Sequence, residues 1–129
     1  MAEAIAKNLM PDLDFMSMGV AAANGFPASE YACIAMRDFG LDLSSHKSKM
    51  IDSELLATAK LVLTMTRSHL FAVKSFCNGA NAYTLAGYAG YEKDIPDPFG
   101  GDLETYQECA KEIESFLLKF SNRSSAPPY

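Results

Sequence analysis

Two hydrophobic periods alternate along the chain, and each change of period marks an element. Residues 1–9 place Ala2, Ala4, Ile5, Ala6 and Leu9 in a run of strong helix formers, which predicts a helix from the first residue. No Ser, Thr, Asp or Asn stands ahead of it to cap its free N–H groups. Asp14–Val20 alternates as a short strand does and leads into a small-residue loop at 21–26. Pro27 suits the first position of a helix carrying Tyr31, Ile34, Ala35 and Phe39, and Gly40-Leu41 reads as a left-handed C-cap with its hydrophobic clasp. A polar loop, Ser44 to Lys49, precedes a short helix over Ile51–Ala59. Leu61-Val62-Leu63-Thr64-Met65 is a compact apolar strand of the kind buried on both faces in a parallel sheet.

Thr66 is placed to cap a helix through Leu70, Val73 and Phe76 that Asn78-Gly79 ends. Tyr83–Tyr88 is a further strand, and Gly90–Gly101 a loop rich in proline and glycine. The last helix, Leu103 to Phe120, has one apolar stripe of Leu103, Tyr106, Cys109 or Ala110, Ile113, Phe116, Leu117 and Phe120. Ser121–Tyr129 reads as a disordered, proline-ended tail. Strands alternating with helices predict an α/β domain over residues 1–120 with a mostly parallel sheet. Ligands bind such sheets beyond the carboxyl ends of the strands. The start of the first helix, the loop at 21–26 and the loop at 90–101 are the places that qualify.

Composition narrows the function classes. The 129 residues are 49% hydrophobic and 21% charged, ordinary for one globular domain and unlike a disordered chain. Eleven Lys and Arg against sixteen Asp and Glu leave a net charge of −5, which argues against nucleic acid or an anionic membrane as partner. No apolar run approaches the roughly 20 residues that span a bilayer, and the N-terminus lacks the pattern of a signal peptide. Three cysteines without paired spacing fit a reducing cytoplasm better than a disulfide framework.

The most distinctive run is Ile95-Pro96-Asp97-Pro98-Phe99-Gly100-Gly101. The prolines fix φ on both sides of Asp97 and push it toward an extended conformation. A carboxylic acid held stiffly on a loop is what general acid catalysis requires. The same residues also make an ordinary turn, with Asp102 capping the last helix, and the residues alone leave both readings open. His46, in a serine-rich loop, reads as a solvated or hydrogen-bonded group, and His69, in the first turns of a helix, as packing or surface. Neither has the spacing of a zinc site, so no metal is expected. Cys33, Cys77 and Cys109 lie within or at the end of helices and read as inert packing thiols.

In order, Met1-Ala2-Glu3-Ala4, Ser17-Met18-Gly19, Gly25-Phe26-Pro27-Ala28 with Gly40-Leu41-Asp42-Leu43-Ser44-Ser45-His46, Leu61–Thr66 with His69, and Asp97-Pro98-Phe99-Gly100-Gly101 resemble the low-molecular-weight protein-tyrosine phosphatases. The resemblance runs from Met1 to about Phe120. It implies a flavodoxin-like three-layer α/β sandwich with a small, four-stranded parallel sheet. It also implies hydrolysis of phosphoryl monoesters through a cysteinyl-phosphate, with no metal or cofactor. By residue match Asp97 is the general acid, Ser17 and His46 support the phosphate loop, and Phe99 forms part of the cleft wall. The implied substrate is a phosphorylated protein, phosphotyrosine first, with phosphoarginine phosphatases and arsenate reductases as relatives of similar fold.

This sequence departs from the family at its start. The first central strand and the Cys-x5-Arg-Ser loop, about 15 residues, are expected ahead of Met1. Without them the chain is expected to be inactive, with exposed strand edges that favour self-association. One expectation is therefore an enzyme whose start is set too late, and the alternative a non-catalytic binding or interaction protein. The run Ala21–Ala23 stands near where relatives carry a large aromatic cleft residue, which bears on any preference for phosphotyrosine.

Overall fold

The computed structural model of the chain describes residues 1–19, 25 and 28–124. Its elements are α1 (Ala2–Leu9), α2 (Glu30–Arg37), α3 (Ser53–Thr58), β1 (Val62–Thr64), α4 (Arg67–Phe76), β2 (Ala82–Thr84), α5 (Leu85–Tyr88) and α6 (Leu103–Ser124). β1 and β2 pair in parallel, with Val62 opposite Ala82, Leu63 opposite Tyr83 and Thr64 opposite Thr84.

The sheet is covered on both faces, which gives three layers. Leu61, Leu63 and Met65 face a large cluster made by α1, α2, α5 and α6. Val62 faces a smaller one of Ile51, Leu56, Val73 and Ala82, supplied in part by α3 and α4. This period-two switch of side chains between two cores is what a doubly covered strand demands. α6 packs across α1 and α2. Its expected stripe is buried at Tyr106, Ala110, Ile113, Phe116, Leu117 and Phe120, each large side chain contributing about 1.5–3 kcal/mol.

Local signals set most helix ends. Ser29, Asp52 and Thr66 accept backbone N–H groups of Ala32, Glu54 and His69 as N-caps of α2, α3 and α4. After α2 the Leu41 N–H donates to Met36 O and the Gly40 N–H to Arg37 O, both at 2.9 Å. Gly40 has φ +74° there. This is the glycine-ended cap that the Gly40-Leu41 pair predicts.

Several expectations need correction. Of the expected strand Asp14–Val20, the described residues Asp14–Met18 join no ladder, and Gly19 forms a parallel bridge with Met50. A strand persists only against a paired neighbour, and the described residues 14–19 have one residue of pairing. Tyr83–Tyr88 divides. The strand ends at Thr84, whose hydroxyl accepts the Gly87 N–H at 2.9 Å and so starts the single turn of α5. Among the described residues the sheet has two strands, where the family's four less the first central strand expected ahead of Met1 would leave three. α6 runs past Phe120 to Ser124, over the first four positions of the expected tail. Val20, the alanine run, Phe26, Pro27 and residues 125–129 lie outside the described residues.

Candidate active site

Two groups of expected site residues occupy different places. The first surrounds the start of α1. A cavity of about 600 Å³ is lined there by Glu3, Lys7, Ser17, His46, Lys47 and Lys49, among others. Ser17 and His46, 29 positions apart in sequence, thus share one cavity, and a smaller one beside it touches both again. The Ser17 hydroxyl donates to Glu3 Oε1 at 2.8 Å, and Lys7 Nζ donates to Glu3 Oε2 at 2.9 Å. Burial alone would raise the Glu3 carboxyl, but the hydrogen bonds from Lys7 and Ser17 outweigh it and hold the group below its ordinary value. His46 is placed by its backbone, whose N–H donates to Leu43 O at 3.0 Å behind the buried Leu43 side chain. The Asp42 carboxylate fixes the preceding turn by accepting the Ser44 N–H and hydroxyl at 2.8 and 3.0 Å.

The second group is the loop of Asp97 and Phe99, neither of which lines these cavities. The loop starts beyond the carboxyl end of β1, where the Ile95 N–H donates to Met65 O at 2.8 Å. Ile95 itself is 1% exposed and anchors the loop in the core. Asp97 Oδ1 accepts the Phe99 N–H at 3.0 Å, and Pro98 O accepts the Gly101 N–H at 2.8 Å. Gly100 has φ +83°. A Cβ at Gly101 would stand 2.9 Å from the Pro98 carbonyl oxygen, so the paired glycines are a steric requirement of the turn. Phe99 projects 85% exposed. Asp102 caps α6 by accepting the Thr105 N–H and hydroxyl, and those bonds keep its carboxyl low.

Cys109 on α6 relates the loop to the start of α1. Its thiol donates to Pro96 O at 3.8 Å and feels the charges of both Met1 and Asp97. Burial first, then Glu112 and Asp97, push this thiol up, the opposite of an activated nucleophile. No cysteine of the sequence stands six positions before an arginine. Among the described residues no cluster of three His, Cys, Asp or Glu is placed to hold a metal ion, and no helix is long and apolar enough to cross a membrane.

Glu3 and Cys109 make contacts that sequence reasoning missed. Glu3 carried one signal, an acid four residues before Lys7 in the first helical turn. Nothing local joined it to Ser17.

In α/β sheets ligands bind beyond the carboxyl ends of the strands, and the Asp97 loop leaves from beyond such an end, that of β1. Residues 1–125 match the family described as low molecular weight phosphotyrosine protein phosphatase, and the chain belongs to that family. It is 32% identical to the low molecular weight protein-tyrosine-phosphatase Ptp of Acinetobacter johnsonii, over 94% of this chain and 85% of the relative. It is equally 32% identical to a protein-arginine-phosphatase of Geobacillus stearothermophilus, over 95% of this chain and 85% of that one. The crystal structure of a low molecular weight protein tyrosine phosphatase from T. tengcongensis superposes with a TM-score of 0.89 at 32% identity, covering 95% of this chain and 88% of the other.

Proposed function

We propose that these residues form the acid-loop and cleft part of a phosphoric monoester hydrolase acting on phosphorylated protein, with phosphotyrosine the first candidate. The family match over residues 1–125 carries this reading. In it, Asp97 protonates the oxygen that leaves phosphorus, then takes a proton from the water that clears a phosphocysteine. A departing phenolate has a conjugate acid near pKa 10, so the donated proton lowers the barrier substantially. Ser17 and His46 support a phosphate-binding loop from the cavity at the start of α1, and Phe99 lines the cleft. The chemistry needs no metal or cofactor. Three free, half-buried cysteines favour a cytoplasmic setting, and the net charge of −5 disfavours nucleic acid or membrane as partner. Residues 1–120 act as the domain.

No Cys-x5-Arg stands among the 129 residues, so this chain alone is expected not to form a phosphocysteine. The test supplies the purified chain with p-nitrophenyl phosphate, a phosphotyrosine peptide and a phosphoarginine protein. No turnover is expected, and turnover that survives Asp97→Ala would refute the site assignment. The intact mass and N-terminal peptide of the native protein then decide how the site is used. A strand and a Cys-x5-Arg-Ser loop before Met1 make the protein a phosphatase, of phosphotyrosine or phosphoarginine according to which substrate it cleaves. A native mass of 14.0 kDa favours the second reading, a binding protein whose two-stranded sheet pairs with another copy. A monomer by sedimentation at that mass would remove the self-association.

A further inference from the structure

Among the described residues the Asp97 carboxylate makes one hydrogen bond, a local one from the Phe99 N–H. Its position is therefore decided by the backbone that leads to it. Residues 91–96 have no repetitive structure, yet this arm is tied three times to α6 and once to the end of β1. Lys119 Nζ of α6 donates to the Tyr91 hydroxyl at 2.8 Å and lies 4.9 Å from the ring centroid. Lys93 pairs with Glu112 of α6 at 2.6 Å. Ile95 is bonded to the end of β1, and Pro96 O accepts the Cys109 thiol.

Asp94 differs from these in having two functions at one atom. Its Oδ1 accepts both the backbone N–H of Arg67 at 2.9 Å and Arg67 Nε at 3.1 Å. The Arg67 N–H is the first of α4, one of the donors that a helix leaves without an internal partner. The first turn of α4 holds no acidic residue of its own, so a carboxylate from 27 positions downstream supplies the negative charge that this end favours. The helix gains a capping anion, and the arm gains a fixed point three residues before Asp97.

We infer that Asp94 is a positioning residue, whose clasp on the N-terminus of α4 sets where the Asp97 loop stands relative to β1. The inference rests on the proposed reading only for the role given to Asp97. The Arg67 Nε and the Arg67 backbone N–H both end on the one Oδ1, so side chain and main chain hold the same carboxylate oxygen. Ile95 holds the arm against sliding inward, and Asp94 holds it against rotating about that plug.

The test uses the 129-residue chain and needs no turnover. Amide hydrogen exchange and ¹⁵N-correlated spectra are recorded for the wild type, D94A, D94N and D94K. In D94A the Ile95, Phe99 and Gly101 amides are expected to exchange roughly threefold to fivefold faster, the size of one exposed charge-assisted contact. The Phe99 amide resonance moves as its bond to Asp97 loosens. The Tyr106 and Ile113 amides of α6 stay at wild-type rates. D94N keeps an acceptor for the Arg67 N–H and restores most of the protection, whereas D94K, a cation at the same helix end, loses more than D94A. Wild-type rates and shifts at Phe99 in both D94A and D94K would overturn the inference. So would faster exchange spread evenly into α6, which would make Asp94 a general stabiliser. Turnover that ignores Asp97 would strike the functional reading and leave these amide data untouched, so the two failures are distinguishable.

Discussion

Replacing Ile95 by alanine tests whether the Asp97 loop is anchored by burial. Ile95 is 1% exposed and belongs to the main core cluster, while its N–H bond to Met65 O involves only backbone and survives the substitution. The change therefore isolates the side chain. Removing a buried Ile side chain down to Ala costs about 2–5 kcal/mol, depending on how far the cavity collapses. An unfolding entropy of about 2.1 cal/mol/K per residue gives a domain of this size about 0.27 kcal/mol/K. The expected fall in Tm is then about 7–18 °C. Phe71→Ala is the control: it deletes a larger side chain, but Phe71 is 77% exposed, and such surface changes stay within about 0.5 kcal/mol, or about 2 °C. Thermal unfolding followed by circular dichroism at matched protein concentration reads both. If Ile95→Ala lowers Tm no more than Phe71→Ala does, the loop is not anchored in the core and its placement has been misjudged.

Ser29→Ala removes the oxygen that accepts the Ala32 N–H at 3.2 Å, and is expected to cost about 1 kcal/mol, or about 4 °C in Tm; an unchanged Tm would mean that α2 starts without that cap. Gly101→Ala sets a Cβ against the backbone oxygen of Pro98, a contact no rotamer change relieves, so a loss of about 1–3 kcal/mol is expected in urea unfolding; a neutral result would refute the turn geometry. The Glu3 carboxyl has its pKa lowered on folding. Its contribution is therefore complete above the unfolded carboxylate value of about 4.3 and is lost as pH falls through the lower folded value. The Tm difference between wild type and Glu3→Gln should shrink on acidification below about pH 4.3, and a difference constant from pH 7 to pH 3 would contradict the Lys7–Glu3–Ser17 arrangement.

How much of this was legible in the sequence depended on the range of the interaction. Thr66, Asp102 and Gly40 were readable because a cap is a bond to an N–H or carbonyl within a few residues, so the residue type and its offset carry the whole signal. The α6 stripe was readable for the same reason, since one period repeats over many turns. The strand expected at 14–20 is not formed over residues 14–18 because alternation describes a strand's faces and says nothing about its neighbour, and among the described residues of the run Gly19 alone meets one, at Met50. Residues 85–88 failed because a short apolar run suits a buried strand and a buried turn equally. Leu85 and Ala86 are 1% and 0% exposed in the turn, and the Thr84 hydroxyl decides between the two.

The candidate site divides along the same line. The stiffness of the Asp97 loop was written locally, by Pro96, Pro98 and the paired glycines, and the structure keeps those residues in a tight turn. Its placement was not, because it comes from Met65, Arg67 and Cys109, residues 13 or more positions distant that no spacing rule connects to it. Ser17 and His46 were likewise chosen by resemblance and brought to one cavity by the fold, with Glu3 revealed only there. Stiffness and placement are thus separable quantities in this chain. A change at Pro96 or Pro98 should broaden the range of positions that Asp97 samples without moving their centre, whereas a change at Asp94 should move the centre. An acid catalyst needs both to be narrow, since proton transfer requires hydrogen-bond reach to one oxygen.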